Sequence, residues 1–123
     1  MRLEQIDHVA VRCASPQATM AWYVDVLGFE RVFAEHWDDV PIFLRLGSTY
    51  LALFPRKRGD ASSGGIGFSH LALRAASYED FEQAQADLRA RGIPFEFEDH
   101  GVSHSVYFRD PDGLQLEITT YDL

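Results

Sequence analysis

The sequence predicts an α+β fold. Two βαβββ modules form a curved, mixed eight-stranded sheet, with helices on its outside and a concave cleft within. Three observations predict it. First, IDHVAVRC (6–13) recurs as FSHLALRA (68–75), aligning His8 with His70 and Arg12 with Arg74, 62 positions apart (70 minus 8). Second, each copy precedes a segment of helical spacing and then three short alternating runs separated by turn residues. Third, a chain of 123 residues that is 46% hydrophobic and 13% aromatic has the material for one packed domain. A βαβββ unit cannot bury both faces of its sheet alone, so duplicated units are expected to pair.

The first module spans residues 1–54. IDHVAVRC alternates as a half-buried strand, and Ser15 with Pro16 supplies an N-cap and a first helical turn. QATMAWYVDVLG carries a stripe of Met20, Tyr23, Val24 and Leu27, and Gly28 is placed to stop the helix. FERVFAEH, PIFLRLG and TYLALFP read as strands. PRKRGDASSGGIG (55–67) is polar and glycine-punctuated, a linker between modules. The second module, 68–123, repeats the order: FSHLALRA, then a helix capped by Ser77 with Phe81, Ala84 and Leu88 inward and Gly92 at its stop. PFEFED, HSVYFRD and LQLEITT are its strands, the last two joined by the tight turn DPDG. Aligning Gly47 with Gly113 sets Leu51 in the place of Glu117.

Bulk properties exclude several classes. A net charge of −8 opposes general nucleic-acid binding, which needs a basic surface. No apolar run approaches the roughly 20 residues that cross a bilayer. The N-terminus passes directly into strand pattern, unlike a signal peptide. The single cysteine, Cys13, lies in a strand, so a packed thiol in a reducing, cytoplasmic setting is expected.

Alternation assigns the faces. On the first strand His8, Ala10 and Arg12 oppose Val9 and Val11. Branched aliphatics suit packing against a helix, so the histidine side is the cleft side. The same rule sets His70, Ala72 and Arg74 against Leu71 and Leu73, and Gln115, Glu117 and Thr119 against Leu116 and Ile118. A lone strand histidine is usually a hydrogen-bonded surface residue, and a lone glutamate is usually solvated. Equivalent positions in a repeat, on matching faces, argue instead for a metal cleft. Two imidazoles and a carboxylate are the donor set of non-haem Fe(II) sites, and the same set hosts Mn(II), Zn(II) or Ni(II). Such an ion keeps about one net positive charge, suited to a small substrate that chelates through two oxygens.

IDHVAV, WYVDVLGF, SHLALRA and YFRDPDGLQLE resemble the vicinal-oxygen-chelate superfamily, also called the glyoxalase, bleomycin-resistance and dioxygenase family. The resemblance implies paired βαβββ modules and a divalent metal, Fe(II) or Mn(II) first, held by His8, His70 and Glu117. It also implies a homodimer in which His8 of one subunit joins the other two ligands of its partner. Departures narrow the activity. Glyoxalase I carries a fourth ligand where Leu51 stands, which disfavours a lactoylglutathione lyase. Fosfomycin thiol transferases share Tyr107, but their threonine and lysine positions read Ala10 and Phe97 here. Bleomycin-binding members sequester a cationic drug without metal, and Trp22, Trp37 and Phe43 would suit such a hydrophobic or cationic ligand. DHGVSHSVYFRDPDG resembles the approach to the metal glutamate in extradiol dioxygenases. A dioxygenase-like enzyme is therefore expected, with Tyr107 and His104 as acid–base candidates and His36 and His100 as surface residues.

Overall fold

In a computed structural model, residues 1–57 and 68–123 are described. Most of the expected linker, residues 58–67, lies outside the described residues. The chain divides into two compact units, Met1–Ser62 and Ser63–Leu123.

In the first unit the order is β1 (Val9–Cys13), α1 (Pro16–Leu27), β2 (Glu30–Val32), β3 (Ile42–Leu46) and β4 (Thr49–Pro55). Ser15 Oγ accepts from the Ala18 N–H at 3.3 Å and Pro16 opens the first turn, so the expected N-terminus of α1 forms. At the other end Gly28 takes φ 78°, a left-handed turn that glycine adopts without strain, and the Phe29 N–H donates to Tyr23 O at 3.1 Å. The buried stripe of α1 differs from expectation: Tyr23 and Thr19 are buried, whereas Val24 is exposed. The Tyr23 ring stands edge-on to Phe29, with centroids 5.5 Å apart, and this anchor sets the helix rotation. The expected strand 29–36 shortens to three residues because Phe33 adopts φ 58°, which breaks the pleat.

In the second unit the order is β5 (Leu71–Arg74), α2 (Tyr78–Ala90), β6 (Glu96–Asp99), β7 (His104–Arg109) and β8 (Gln115–Thr120). Ser77 Oγ accepts from the Asp80 N–H at 3.1 Å, and Phe81 and Leu88 of α2 are buried as expected.

All eight expected strands occur. They are hydrogen-bonded as two sheets of four, ordered β1-β4-β3-β2 and β5-β8-β7-β6. Each crossover helix returns the chain so that the first strand of a unit pairs in parallel with its last, and the other neighbours are antiparallel. Each ladder is thereby completed within its own unit.

Register corrects one expected equivalence. Ala72 pairs with Glu117, and its repeat-mate Ala10 pairs with Ala52. The place of Glu117 in the first unit is therefore held by Ala52, while Leu51 pairs with Val9 on the opposite, helix-covered face. Turn length is the reason. Leu46 pairs with Thr49 across Gly47-Ser48, but Arg109 pairs with Gln115 across the longer Asp110–Leu114 connection, so matching the two turn glycines misaligns the strands. Alanine, like leucine, offers no metal donor. Among the described residues, no helix is long and apolar enough to cross a membrane.

Candidate functional site

The candidate site is built on the polar face of the second sheet. Pairing sets Tyr107 against Glu117, Ser105 against Thr119 and Arg109 against Gln115, so these six side chains share a face. The turn fixes that register. Asp110 Oδ1 accepts from the N–H groups of Asp112 (2.8 Å) and Leu114 (2.9 Å), and Gly113, at φ 84°, donates to Asp110 O at 3.0 Å. His70 precedes β5 by one residue and reaches the same face: its Nε2 lies 2.9 Å from Glu117 Oε2.

Each partner of this pair has its second polar atom engaged. Ser69 Oγ lies 3.0 Å from His70 Nδ1, and Ser105 Oγ donates to Glu117 Oε1 at 2.6 Å. The imidazole and the carboxylate thus turn one remaining atom each, Nε2 and Oε2, toward each other. The Glu117 side chain is 11% exposed and that of His70 is 34% exposed, so the pair is sheltered yet open on the imidazole side. This donor set fits a divalent ion: neutral imidazole and carboxylate are its usual ligands, and both are oriented by neighbours, as metal ligands require.

His8 lies in the first unit, immediately before β1. Its Nδ1 donates to Asp7 Oδ2 at 2.8 Å, which leaves Nε2 as the lone-pair nitrogen, and its ring lies 5.3 Å from that of Phe43. Both predicted histidine ligands therefore present Nε2. The two that the structure brings together are His70 and Glu117. Among the described residues, no group of three or more His, Cys, Asp or Glu side chains is gathered at one point.

Tyr107 stands on the His70 side, the two rings 5.8 Å apart and edge-on. Burial and the neighbouring carboxylates of Glu117 and Glu98 raise its phenol above the ordinary value, so it remains protonated at neutral pH. A hollow of about 500 Å³ opens beside it, lined among others by Phe95, Glu96, Arg109 and Gln115. The Tyr107 hydroxyl meets Ser105 and Glu117 on its own face and also His100, whose Nε2 lies 3.0 Å away and 3.5 Å from Glu98 Oε2.

His104 lies on the opposite face. It pairs with Thr120 and Asp99, and its ring packs 5.1 Å from Phe97 and 6.2 Å from Tyr78. Alternation is the physical reason, since 104 and 107 differ by an odd number and must point to opposite faces. The imidazole available to Tyr107 is thus His100 rather than His104. Sequence reading passed over His100 as a surface residue, and the missed signal is its place just after β6, where the chain turns back alongside β7. Ser105 was also passed over, although the same alternation put it on the Glu117 face.

Residues 5–118 match the family model of the Glyoxalase/Bleomycin resistance protein/Dioxygenase superfamily, and the chain belongs to that superfamily. A biphenyl-2,3-diol 1,2-dioxygenase from Rhodococcus globerulus is 29% identical over 120 residues, which cover 93% of this chain. The chain spans only 62% of that relative's length. A metallothiol transferase, FosB, from Staphylococcus epidermidis is 24% identical over 98% of this chain and 84% of its own. Among solved structures, a lactoylglutathione lyase from Agrobacterium tumefaciens superposes with a TM-score of 0.78 at 26% identity, covering 98% of this chain and 96% of that one. Dioxygenases, lyases and thiol transferases are thus all represented among its relatives.

Proposed function

We propose that the protein is a divalent-metal enzyme of dioxygenase type that acts on a small substrate bound through two oxygens. One observation carries this reading: His70 Nε2 and Glu117 Oε2 face each other at 2.9 Å, a separation that two ligands of one ion can share, while Ser69 and Ser105 engage the other atom of each. His8, with its Nδ1 tied to Asp7, is the third ligand, contributed in a homodimer by a second copy of the chain. The ion is Fe(II) or Mn(II), with Zn(II) or Ni(II) also accommodated by the same donors. When bound, it supplies Lewis-acid polarisation and a template for the two substrate oxygens. Glu117 and His70 hold the substrate-facing side of the site. Tyr107 presents a phenol O–H beside it, and His100 Nε2 exchanges a proton with that oxygen over 3.0 Å. The buried thiol of Cys13 agrees with a cytoplasmic setting.

Metal titration with Mn2+ tests the ligand set. Wild type is expected to bind about one ion per subunit, and His8→Ala, His70→Ala and Glu117→Ala to bind none while remaining folded. Mixing His8→Ala with Glu117→Ala should restore up to one site per hybrid dimer, because one intact set of three ligands re-forms. Oxygen uptake by the iron-loaded protein with a panel of catechols tests the reaction class. A wild type that takes up no divalent metal defeats this reading. It would favour a non-catalytic binder of a hydrophobic or cationic molecule, for which the cluster of Phe33, Trp37, Phe43 and Tyr50 offers ring surface.

A further inference from the structure

We propose that Ser105 and Thr119 form a two-hydroxyl relay that aims Glu117 at the metal, making both positioning residues for the site; this inference rests on the ligand role proposed for Glu117. Ser105 Oγ lies 2.6 Å from Glu117 Oε1 and 3.0 Å from Thr119 Oγ1, and it also meets the Tyr107 hydroxyl, which carries a proton of its own. A serine hydroxyl carries one proton. That proton goes to the carboxylate, because a charge-assisted bond is the stronger and the distance is the shorter. The contact with Thr119 is then a hydrogen bond only if Thr119 supplies the proton. Thr119 has a competing acceptor, His104 O, at 3.3 Å, a longer and weaker contact. The order Thr119 O–H to Ser105 Oγ, and Ser105 O–H to Glu117 Oε1, places the two hydroxyl protons in the two shortest contacts. Donation by Thr119 polarises the Ser105 hydroxyl and strengthens its grip on the carboxylate.

The relay is buried. Ser105 is 0% exposed and Thr119 8%, so water does not substitute readily for a missing hydroxyl. Holding Oε1 fixes the carboxylate plane and leaves Oε2 as the single ligating atom. This arrangement favours one-point coordination over a bidentate grip that would consume an open position.

Mn2+ titrations, with the free aquo ion followed by electron paramagnetic resonance, test the relay. Ser105→Ala is expected to weaken Mn2+ binding by roughly ten- to hundredfold while the protein remains folded at the titration temperature. Thr119→Val, which keeps the side-chain shape, should weaken it by a smaller factor, and Thr119→Ser should restore it. Because Thr119 acts through Ser105, adding Thr119→Val to Ser105→Ala should cause no further loss. Wild-type affinity in Ser105→Ala overturns the proposal, as does a double variant that loses the product of the two single losses. If Ser105→Ala does not fold, Thr119→Val decides alone, and unchanged affinity there overturns the relay. Failure of the ligand assignment itself shows differently, as a wild type that binds no Mn2+.

Discussion

The two units repeat one backbone plan and keep the same His, Ala and Arg on their first strands, but differ in most other side chains of the face that carries the histidine. Following strand register, Glu117 corresponds to Ala52, Tyr107 to Phe43, Thr119 to Phe54 and Glu96 to Val32. The histidine persists in both, as do the arginines of the β3 and β7 ends, Arg45 and Arg109. The first unit thus carries apolar groups where the second has two carboxylates, a phenol and a hydroxyl. The result is an aromatic wall in which Trp37 stacks on Phe43 at 5.3 Å and Phe33 lies nearly parallel to Tyr50. The second unit concentrates its polar groups around a buried carboxylate. One scaffold therefore supports an apolar, ring-rich surface and a polar, carboxylate-bearing surface, the difference residing in alternate residues of three strands.

The largest expected effect breaks the scaffolds rather than the faces. Phe81 and Thr19 are repeat-mates (81 minus 62), both buried, yet the aromatic anchor of α1 sits one turn later at Tyr23. Phe81→Ala should cost about 3–5 kcal/mol and Tyr23→Ala a similar amount, whereas Thr19→Ala should cost about 1 kcal/mol. Urea unfolding followed by far-UV circular dichroism measures all three. Equal losses at 19 and 81 would mean that the helices are not anchored a turn apart.

A second substitution asks whether the first face can accept the missing carboxylate. Ala52 is fully buried between Ala10 and Phe43, and the position corresponding to Ser105 is Pro41, which carries no hydroxyl. Ala52→Glu should therefore destabilise by about 3 kcal/mol, the cost of a buried carboxylate without a donor. Tolerance of the change, read from the same unfolding curves, would show that the face relaxes to solvate it.

The converse change makes the second face resemble the first. Tyr107→Phe copies Phe43 and removes the bond to His100, at a cost of about 1 kcal/mol at neutral pH. The raised phenol sets the sign of the pH dependence. A proton held more tightly by the folded state stabilises fully below the ordinary tyrosine value of about 10 and less as pH rises through the higher folded value. The advantage of wild type over Tyr107→Phe should shrink above about pH 10. Alkaline difference spectra should show the missing phenol as a late-titrating one. An advantage that grows with pH would contradict the raised value.

Much of this was legible before any coordinates. Repetition of HVAVR as HLALR revealed the duplication, the serine caps and Gly28 marked helix ends, and alternation put Glu117 and His70 on one side. What stayed hidden depended on local geometry that periodicity does not encode. The left-handed Phe33 shortened β2, and the unequal turns moved the equivalent of Glu117 from Leu51 to Ala52. The partner of Tyr107 hinged on where a hairpin loop folds back. His100 reaches it from that loop, while His104, four residues closer in sequence (a separation of 3 against 7 from Tyr107), is turned away by strand parity.

The smallest expected effect compares the two helix caps. Ser15 and Ser77 are repeat-mates and both accept from the N–H three residues on, at 3.3 and 3.1 Å. Ser77 has more to lose, because its hydroxyl also donates to Asp80 Oδ2 at 2.7 Å, tying an acidic side chain to the first turn of α2, where the helix dipole favours it. The first turn of α1 carries no acidic residue and gains rigidity from Pro16 instead. Ser77→Ala should therefore cost about 1 kcal/mol and Ser15→Ala about 0.5 kcal/mol. Added salt should narrow the gap by screening Asp80 from the helix N-terminus. Equal losses for the two variants at low salt would show that the cap hydrogen bond alone matters and that the charge of Asp80 contributes nothing.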